Sequence, residues 1–479
     1  MEVRKIKNSD RWSFSQLLYA VLFGAMIIGF LVIQAYDHES FVYPLPLAII
    51  RLSVTVMGII IGKLWKDKGF LIMAALLIWQ MIRVLFKDPG LLFTDAVSVN
   101  LLNGIWIVGG CYAIGRILTI KQLKQFFRVI IPVWTFGSVI HCLITLYAAW
   151  TDQGIINLYG VGPWVGGAMW GITWNGRLCV GYAYPSTAGS ALSISCVISL
   201  IALIVEKKKP IRLFYSFSLL IMMLVLGLTD ARTSVISFSV GVGFVAFSLV
   251  LWKHYHRTEE NNRIITEKRK IRIWAGAAAC LLIATCLTMI ISFQTVPLFN
   301  AVKTRGSVIL AEAKAEEETT EEKQMVASRG LTGNDTLSGR GELWKSVIRY
   351  LVNKPERLVF GVSVYNPTDE INRDMGWTEV PFAHCHNMPL QILLESGVIG
   401  FALVVLFGIH TAKNGYKMMR NPRVSLWMYL IPAAMVSILT GDLAECFSWF
   451  RAWQGVAMVF LFIAAGMINS FSRENAEQA

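Results

Sequence analysis

The sequence predicts an all-α polytopic membrane protein with about twelve transmembrane helices. Three observations predict it. Apolar stretches of about 20 residues recur along the chain, the length needed to cross the hydrocarbon core. Only 16% of the 479 residues are charged against 55% hydrophobic, whereas a soluble domain carries roughly 25% charge. The basic residues fall in short blocks between the apolar stretches. Backbone that faces lipid must satisfy its own hydrogen bonds, so the stretches are helices. They are too long and too uniformly apolar for barrel strands, which alternate and run roughly 10 residues. The net charge of +13 does not point to nucleic acid, because the basic blocks sit where topology determinants sit and no nucleic-acid motif accompanies them.

Helices are expected near 14–36, 45–62, 70–86, 97–115, 129–150, 187–205, 211–228, 233–252, 274–294, 388–410, 424–440 and 452–470. The first is too long for a signal-peptide core and lacks a small-residue cleavage site after it, so it reads as a retained helix. Placing the amino terminus inside makes the even connections and both tails cytoplasmic. Those segments hold blocks such as Arg4, Lys5 and Lys7, Lys63 to Lys68, Arg116 to Arg128, Lys207 to Arg212, Lys253 to Arg272, and Lys413 to Arg423. The short outer loops hold almost none: Lys87, Arg177, Arg232 and Arg451 stand one to a loop. One missed helix would invert every later loop, so the alternation supports the count and puts both termini in the cytoplasm.

The chain then divides into helices 1–9 over residues 1–295, with a Gly- and aromatic-rich outer loop at 151–185, a large extracytoplasmic loop at 296–386, and helices 10–12 over 387–479. The large loop opens with an acidic, helix-forming run from Leu310 to Ala327, and a second, amphipathic helix follows from Gly341 to about Val352. Of eight cysteines, Cys179, Cys385 and Cys446 fall outside the apolar segments, and a disulfide among these three is open from sequence. No CxxC or other metal spacing is present.

Polar residues gather toward the outer side. Ser338, Gly339, Arg340 and Gly341 open a helix, so free backbone N–H groups stand beside a guanidinium, the outline of an anion site; an ordinary capped surface helix is the plainer reading. His384-Cys385-His386-Asn387 ends the large loop. Asn387 is placed to cap helix 10, and a histidine at such a mouth can serve as general base. The two histidines offer metal ligands, but no third ligand is evident. Arg232 occupies the tight turn after Thr229 and Asp230, where pairing with Asp230 is the simplest role. Arg51 and Arg83 lie within expected spans, and Glu395 lies two turns into helix 10; intramembrane charges of this kind face a bundle interior or a cavity. A neutral-solute transporter has no need of Arg51, Arg83, Arg177, Arg232, Arg340 and Arg451 on one side, whereas a lipid-linked pyrophosphate does.

Gly339-Arg340 with Trp344, then Pro355, Gly361, His386-Asn387, Leu390 and Glu395-Ser396-Gly397-Val398-Ile399-Gly400 resemble the signature region of the O-antigen ligase and polymerase superfamily. Arg177, Gly181, Tyr184-Pro185 and the Thr229 to Arg232 turn resemble its upstream motifs, with Ser186 where many members have Asn. The likeness spans roughly residues 170–400; the first five helices match only in hydropathy. It implies a C-type membrane glycosyltransferase of the bacterial cytoplasmic (inner) membrane, inverting, metal-independent and without cofactor. The implied donor is an undecaprenyl-pyrophosphate-linked oligosaccharide, and the implied acceptor a glycan or glycolipid hydroxyl. By that similarity Arg232 and Arg340 contact the pyrophosphate and His386 (or its neighbour His384) takes the acceptor proton; Arg177, Arg51 and Arg83 are expected, from the gathering of arginines on one side, to bind the pyrophosphate as well. Trp344, Asn387 and Glu395 support the site. Ligase, repeat-unit polymerase and protein glycosyltransferase share these motifs. A polysaccharide transporter or flippase is the competing class, but no two-fold repeat of six helices is evident.

Overall fold

The structure, a computed structural model, describes residues 12–33, 45–87, 95–151, 156–157, 169–172, 176–182, 185–260, 267–314, 340–362, 371, 384–421, 424–446 and 455–478. Among them seven helices are long and apolar enough to cross a membrane, and five shorter apolar helices accompany them. Each of the twelve expected stretches falls on one of these. The protein is an all-α polytopic membrane protein.

The amino-terminal helices are α1 (Phe14–Ile33), α2 (Leu45–Gly62), α3 (Lys68–Lys87), α4 (Asp95–Trp106) and the short α5 (Ile114–Ile117), with one wide π-type turn, Ile107–Cys111, between the last two. That turn lets backbones approach: a Cβ on Gly58 would lie 2.0 Å from the Gly109 carbonyl oxygen. Small residues at such crossings are how helices associate where lipid is as apolar as leucine.

α6 (Ile120–Trp150) starts nine residues before the expected helix. Thr119 accepts from the Gln122 amide while the Gln122 side chain returns a bond to the Thr119 amide, a reciprocal cap that begins the helix ahead of its apolar run. Lys121, Lys124 and Arg128, expected in a loop, therefore stand on helical turns. A three-stranded antiparallel sheet follows, β1 (Ile156–Asn157), β2 (Met169–Ile172) and β3 (Leu178–Val180), in the order β1-β2-β3. These strands were not expected from the residues of this loop. The sheet is fastened to α6: Trp170 Nε1 donates to His141 Nδ1 at 3.1 Å and Thr145 Oγ1 donates to the Cys179 carbonyl at 3.1 Å.

α7 (Pro185–Val205), α8 (Lys209–Leu228), α9 (Arg232–Glu260) and α10 (Glu267–Phe293) run back and forth. α11 (Thr295–Lys314) resumes after Gln294, so the segment expected to open as a loop at residue 296 begins as a helix. It is held by Lys303, whose buried Nζ donates to the Ala149 carbonyl at 2.9 Å. Of the acidic run from Leu310 to Ala327, residues to Lys314 lie in α11 and the rest fall outside the described residues. α12 (Arg340–Asn353) and α13 (Pro355–Phe360) precede α14 (Met388–Met419), α15 (Leu426–Asp442) and α16 (Gly455–Gln478). α9 and α15 pack closely through serines: Ser237 Oγ donates to the Ser437 carbonyl at 2.5 Å and Ser437 Oγ to the Ser237 carbonyl at 2.9 Å. None of the eight cysteines is in a disulfide, so Cys179, Cys385 and Cys446 are not joined to one another.

Candidate active site at the head of α14

The site is built where α9, α12 and α14 begin and α15 ends. α12 arises from an amphipathic pattern. Trp344, Val347, Tyr350 and Leu351 form one face, and the last three are buried with Cys385, Leu390 and Leu394. The polar face carries the Glu342–Lys345 pair at 2.8 Å; this fully exposed contact lowers the Glu342 carboxyl below its usual range and adds little to stability. α14 starts with a cap: Asn387 Oδ1 accepts from the Leu390 amide at 2.9 Å, and Asn387 Nδ2 donates to the Leu443 carbonyl at 2.8 Å. The expected capping role of Asn387 is thus formed, and the same side chain ties α14 to the end of α15.

Two turns further, α14 is broken at Gly397 (φ 65°, ψ −172°), backbone angles that only glycine adopts readily. A break frees carbonyls that must find other donors. Here each finds one. The Leu394 carbonyl accepts from the Val362 amide at 2.6 Å, the Glu395 carbonyl from Arg83 Nη1, and the Ser396 carbonyl from Trp79 Nε1 at 2.9 Å. Arg83 Nη2 also donates to the Gly361 carbonyl at 2.9 Å. Gly361 (φ 83°) and Gly397 meet so closely that a Cβ on Gly397 would lie 2.1 Å from the Val359 carbonyl oxygen. The Gly-rich signature is therefore a backbone joint, and Arg83 is part of it. Glu395 is buried, and its carboxylate accepts from Gln391 Nε2 at 2.6 Å. Gln391 Oε1 in turn accepts from the Cys385 amide at 2.9 Å, which steadies the histidine turn above.

In that turn His386 adopts φ 48°, a left-handed conformation uncommon for residues other than glycine and associated with functional positions. Its Nδ1 lies 2.7 Å from Glu445 Oε2, just beyond the carboxyl end of α15. The other oxygen of Glu445 accepts from Arg340 Nη2. Arg340 Nη1 also donates to the Ala444 carbonyl at 2.7 Å and makes a long contact of 3.4 Å to Thr233 Oγ1 on the first turn of α9. One carboxylate so bridges the histidine and the arginine. The Glu445 side chain is 5% exposed, whereas Arg340 is 20% and His386 33% exposed, so the pair faces outward from a buried anchor. With Glu445 ionised, Nδ1 carries the imidazole proton and Nε2 keeps a free lone pair.

His384 is buried, and its Nδ1 accepts from the His386 amide at 3.1 Å. It braces the turn, while His386 is the histidine within reach of solvent. Trp344 Nε1 donates to the Cys385 carbonyl at 2.8 Å, joining α12 to the same turn. Arg232 stands beside Thr233. Its Nε is buried without a hydrogen-bond partner, and the expected pairing with Asp230 is not formed among the described residues. Arg177 instead holds that turn, donating from Nε to the Thr229 carbonyl at 3.1 Å and from Nη2 to the Asp230 carbonyl at 3.4 Å. Arg51 is placed elsewhere, its guanidinium 5.0 Å above the Trp106 ring in the amino-terminal bundle. Arg451, Ser338 and Gly339 fall outside the described residues.

His384, His386 and Glu445 bring potential metal-ligand atoms within 4.8 Å of one another, which supplies the third ligand the sequence did not reveal. The donor set would suit a cation only if Arg340 left Glu445, since the guanidinium already occupies one carboxylate oxygen. Glu445 is the site residue that sequence reasoning missed: it lies 59 residues beyond His386, near the end of an apolar helix, with no motif of its own.

Residues 217–405 match a family model described as O-antigen ligase. The match takes in Arg232, Arg340, Trp344, His384, His386, Asn387 and the Gly397 break, but stops short of Glu445. No curated protein matches the chain.

Proposed function

We propose that this chain, whose residues 217–405 belong to the O-antigen ligase superfamily, is a membrane glycosyltransferase that moves a glycan from undecaprenyl pyrophosphate to an acceptor hydroxyl. The observation that carries the reading is the His386–Glu445–Arg340 arrangement beside the unpartnered Arg232. His386 offers its Nε2 as a general base, and Arg232, adjacent in sequence to the Thr233 that Arg340 contacts, has a buried Nε without a hydrogen-bond partner.

The reaction is a single displacement. The acceptor oxygen forms a bond to the anomeric carbon from the face opposite the leaving group, which inverts that carbon. His386 Nε2 takes the hydroxyl proton. The bond between the anomeric carbon and the phosphate oxygen breaks, and its electron pair leaves on undecaprenyl pyrophosphate. Glu445 holds the imidazole by Nδ1 and balances the imidazolium that forms, a division of labour between base and orienting carboxylate. Arg232 and Arg340 stabilise charge building on the pyrophosphate, where preorganised donors are most effective. Arg177, Arg83 and Asn387 position the turn, the helix joint and the helix head. The residues supply acid–base and electrostatic chemistry without a metal.

A lipid donor is further supported by an apolar cavity of about 440 Å³ bounded by α3, α9, α10, α14, α15 and α16. It reaches Met388, two residues from His386, and is lined by Phe244, Phe247, Trp274 and Met435. A polyprenyl chain suits such a lining. Both termini are then cytoplasmic, and the site faces the extracytoplasmic side.

The test is reconstitution of purified protein with an undecaprenyl-pyrophosphate oligosaccharide, wild type beside His386→Asn, with mass spectrometry of the products. Asn is chosen because it tolerates the left-handed backbone but is no base. Longer glycans on the same lipid, absent with the variant, identify a polymerase. Undecaprenyl pyrophosphate released only when a separate acceptor is present identifies a ligase. A donor that stays intact under all conditions overturns the transferase reading.

A further inference from the structure

At the end of the bundle away from His386, the described residues enclose a second cavity, of about 400 Å³. Its position follows from helix direction: α6 and α8 begin there, α7 ends there, and α15 begins there, whereas α15 ends at Asp442, three residues before Glu445. Its walls are apolar and come from five helices, with Ile131 on α6, Ile201 on α7, Tyr215 on α8, Ile431 on α15 and Phe460 on α16. The volume lies in the range of pockets that hold small ligands, roughly 300–1,000 Å³.

The rim has a different character. Lys124, Arg128 and Lys208 stand at the mouth, with Glu206 the one acidic group among the lining residues. Glu206 is turned toward its own backbone: one carboxylate oxygen accepts from the Lys207 amide at 2.8 Å and the Lys208 amide at 2.9 Å. Those amides hold its carboxyl below the usual range, so it stays charged, and the rim still carries a surplus of positive charge. Topology accounts for basic residues at this end of the helices, but not for an apolar slot directly beneath them. From Lys124 to Pro132 the slot runs eight residues along α6, ~12 Å at the rise of an α-helix. That is less than the ~15 Å of one leaflet's hydrocarbon, half of a roughly 30 Å core.

We infer that this cavity is a binding site for an anionic phospholipid of the leaflet opposite the active site, one acyl chain in the slot and the phosphate on Lys124, Arg128 and Lys208. The ligand chemistry follows from the combination: a zwitterionic lipid, whose own cation offsets its phosphate, gains less from three cations than an anionic one, and a soluble phosphate gains nothing from the apolar walls. The site is separate from the transfer chemistry and does not rest on the proposed function.

The experiment is native mass spectrometry of the full-length protein titrated with palmitoyl-oleoyl phosphatidylglycerol or phosphatidylcholine of the same chains. Wild type is compared with the triple variant Lys124→Gln/Arg128→Gln/Lys208→Gln and with Ala202→Trp, which fills the slot and leaves the charges. Arg116, Lys121, Lys207, Lys209 and Arg212 remain to fix orientation in the triple variant, and thermal unfolding checks that both variants are folded. Each cation near an anionic headgroup is worth roughly fivefold in affinity. Wild type is expected to prefer phosphatidylglycerol, the triple variant to lose roughly 100-fold, and Ala202→Trp to lose the bound lipid with its charges intact. Equal retention of the two lipids by wild type overturns the inference, as does undiminished phosphatidylglycerol binding in either variant.

Discussion

Replacing Glu445 with Gln isolates what the bridging carboxylate contributes. Gln keeps the size of the side chain but offers one acceptor and one amide. If its oxygen keeps Arg340 Nη2, its amide faces His386 Nδ1 across the 2.7 Å gap. Two donors cannot share that gap, so the imidazole proton must move to Nε2, and the lone pair needed for the acceptor hydroxyl is lost. Two effects then combine. The carboxylate no longer balances the imidazolium, a charge-assisted bond worth about 1.5–3 kcal/mol, and general-base assistance of roughly 10²- to 10⁴-fold is impaired. A fall of roughly 10²- to 10⁴-fold in the transfer rate is expected, or about 3–5 kcal/mol of transition-state stabilisation. The fold should lose much less. Breaking a fully buried pair costs about 3–5 kcal/mol, but Arg340 and His386 reach solvent and Arg340 keeps the Ala444 carbonyl, so about 1–2 kcal/mol is expected by the same comparison. Single-turnover transfer with mass-spectrometric product detection, beside thermal unfolding in the same detergent, reads both quantities. In the double variant with His386→Asn the losses should not multiply, because the two residues act as a unit. A Glu445→Gln rate within threefold of wild type, or fully multiplicative losses, would refute the orienting role.

The Gly397 joint gives a structural prediction. Gly397→Ala forces a Cβ to within 2.1 Å of the Val359 carbonyl oxygen at φ 65°, at a cost of about 3 kcal/mol or more. The unfolding temperature and the transfer rate should both fall, while Gly408→Ala on the same helix, with open space around it, changes neither. Arg232→Ala should abolish transfer without lowering stability, because no described protein group pairs with its guanidinium; Arg232→Lys should rescue poorly, lacking the planar fork. Loss of thermal stability in Arg232→Ala with donor affinity intact would mark it as structural. Transfer should persist in excess EDTA; loss restored by a divalent cation would turn His384, His386 and Glu445 into a metal site. Burial pushes the Cys179 thiol up to about 12 against the opposing pull of Arg177. The thiolate at pH 8 is then about one part in 10⁴, so alkylation at Cys179 should be negligible until the protein unfolds.

The membrane class and the succession of apolar helices could be read from the sequence because they depend on composition over about 20 residues, a local quantity. The capping of α14 by Asn387 and the amphipathic α12 were legible for the same reason. Helix starts set by single side chains were not: the Thr119–Gln122 cap moved α6 forward and turned a basic loop into helical turns. The strands of the outer loop carry no alternation long enough to notice, and they exist because α6 supplies His141 and Thr145 as anchors.

At the site the sequence by itself singled out the polar residue types, since arginine and histidine in or beside apolar stretches are costly and stand out. It also contained Gly361 and Gly397 as parts of a family-like motif, but their positive φ was seen only in the structure. Only the tertiary structure decided how those charges divide. Arg83 and Arg177 satisfy backbone carbonyls, Arg51 lies over Trp106, Arg340 shares Glu445 with His386, and Arg232 keeps no partner among the described residues. The reason is physical: a guanidinium's role is set by which acceptors stand within about 3 Å, and here those acceptors come from helices tens to hundreds of residues away along the chain.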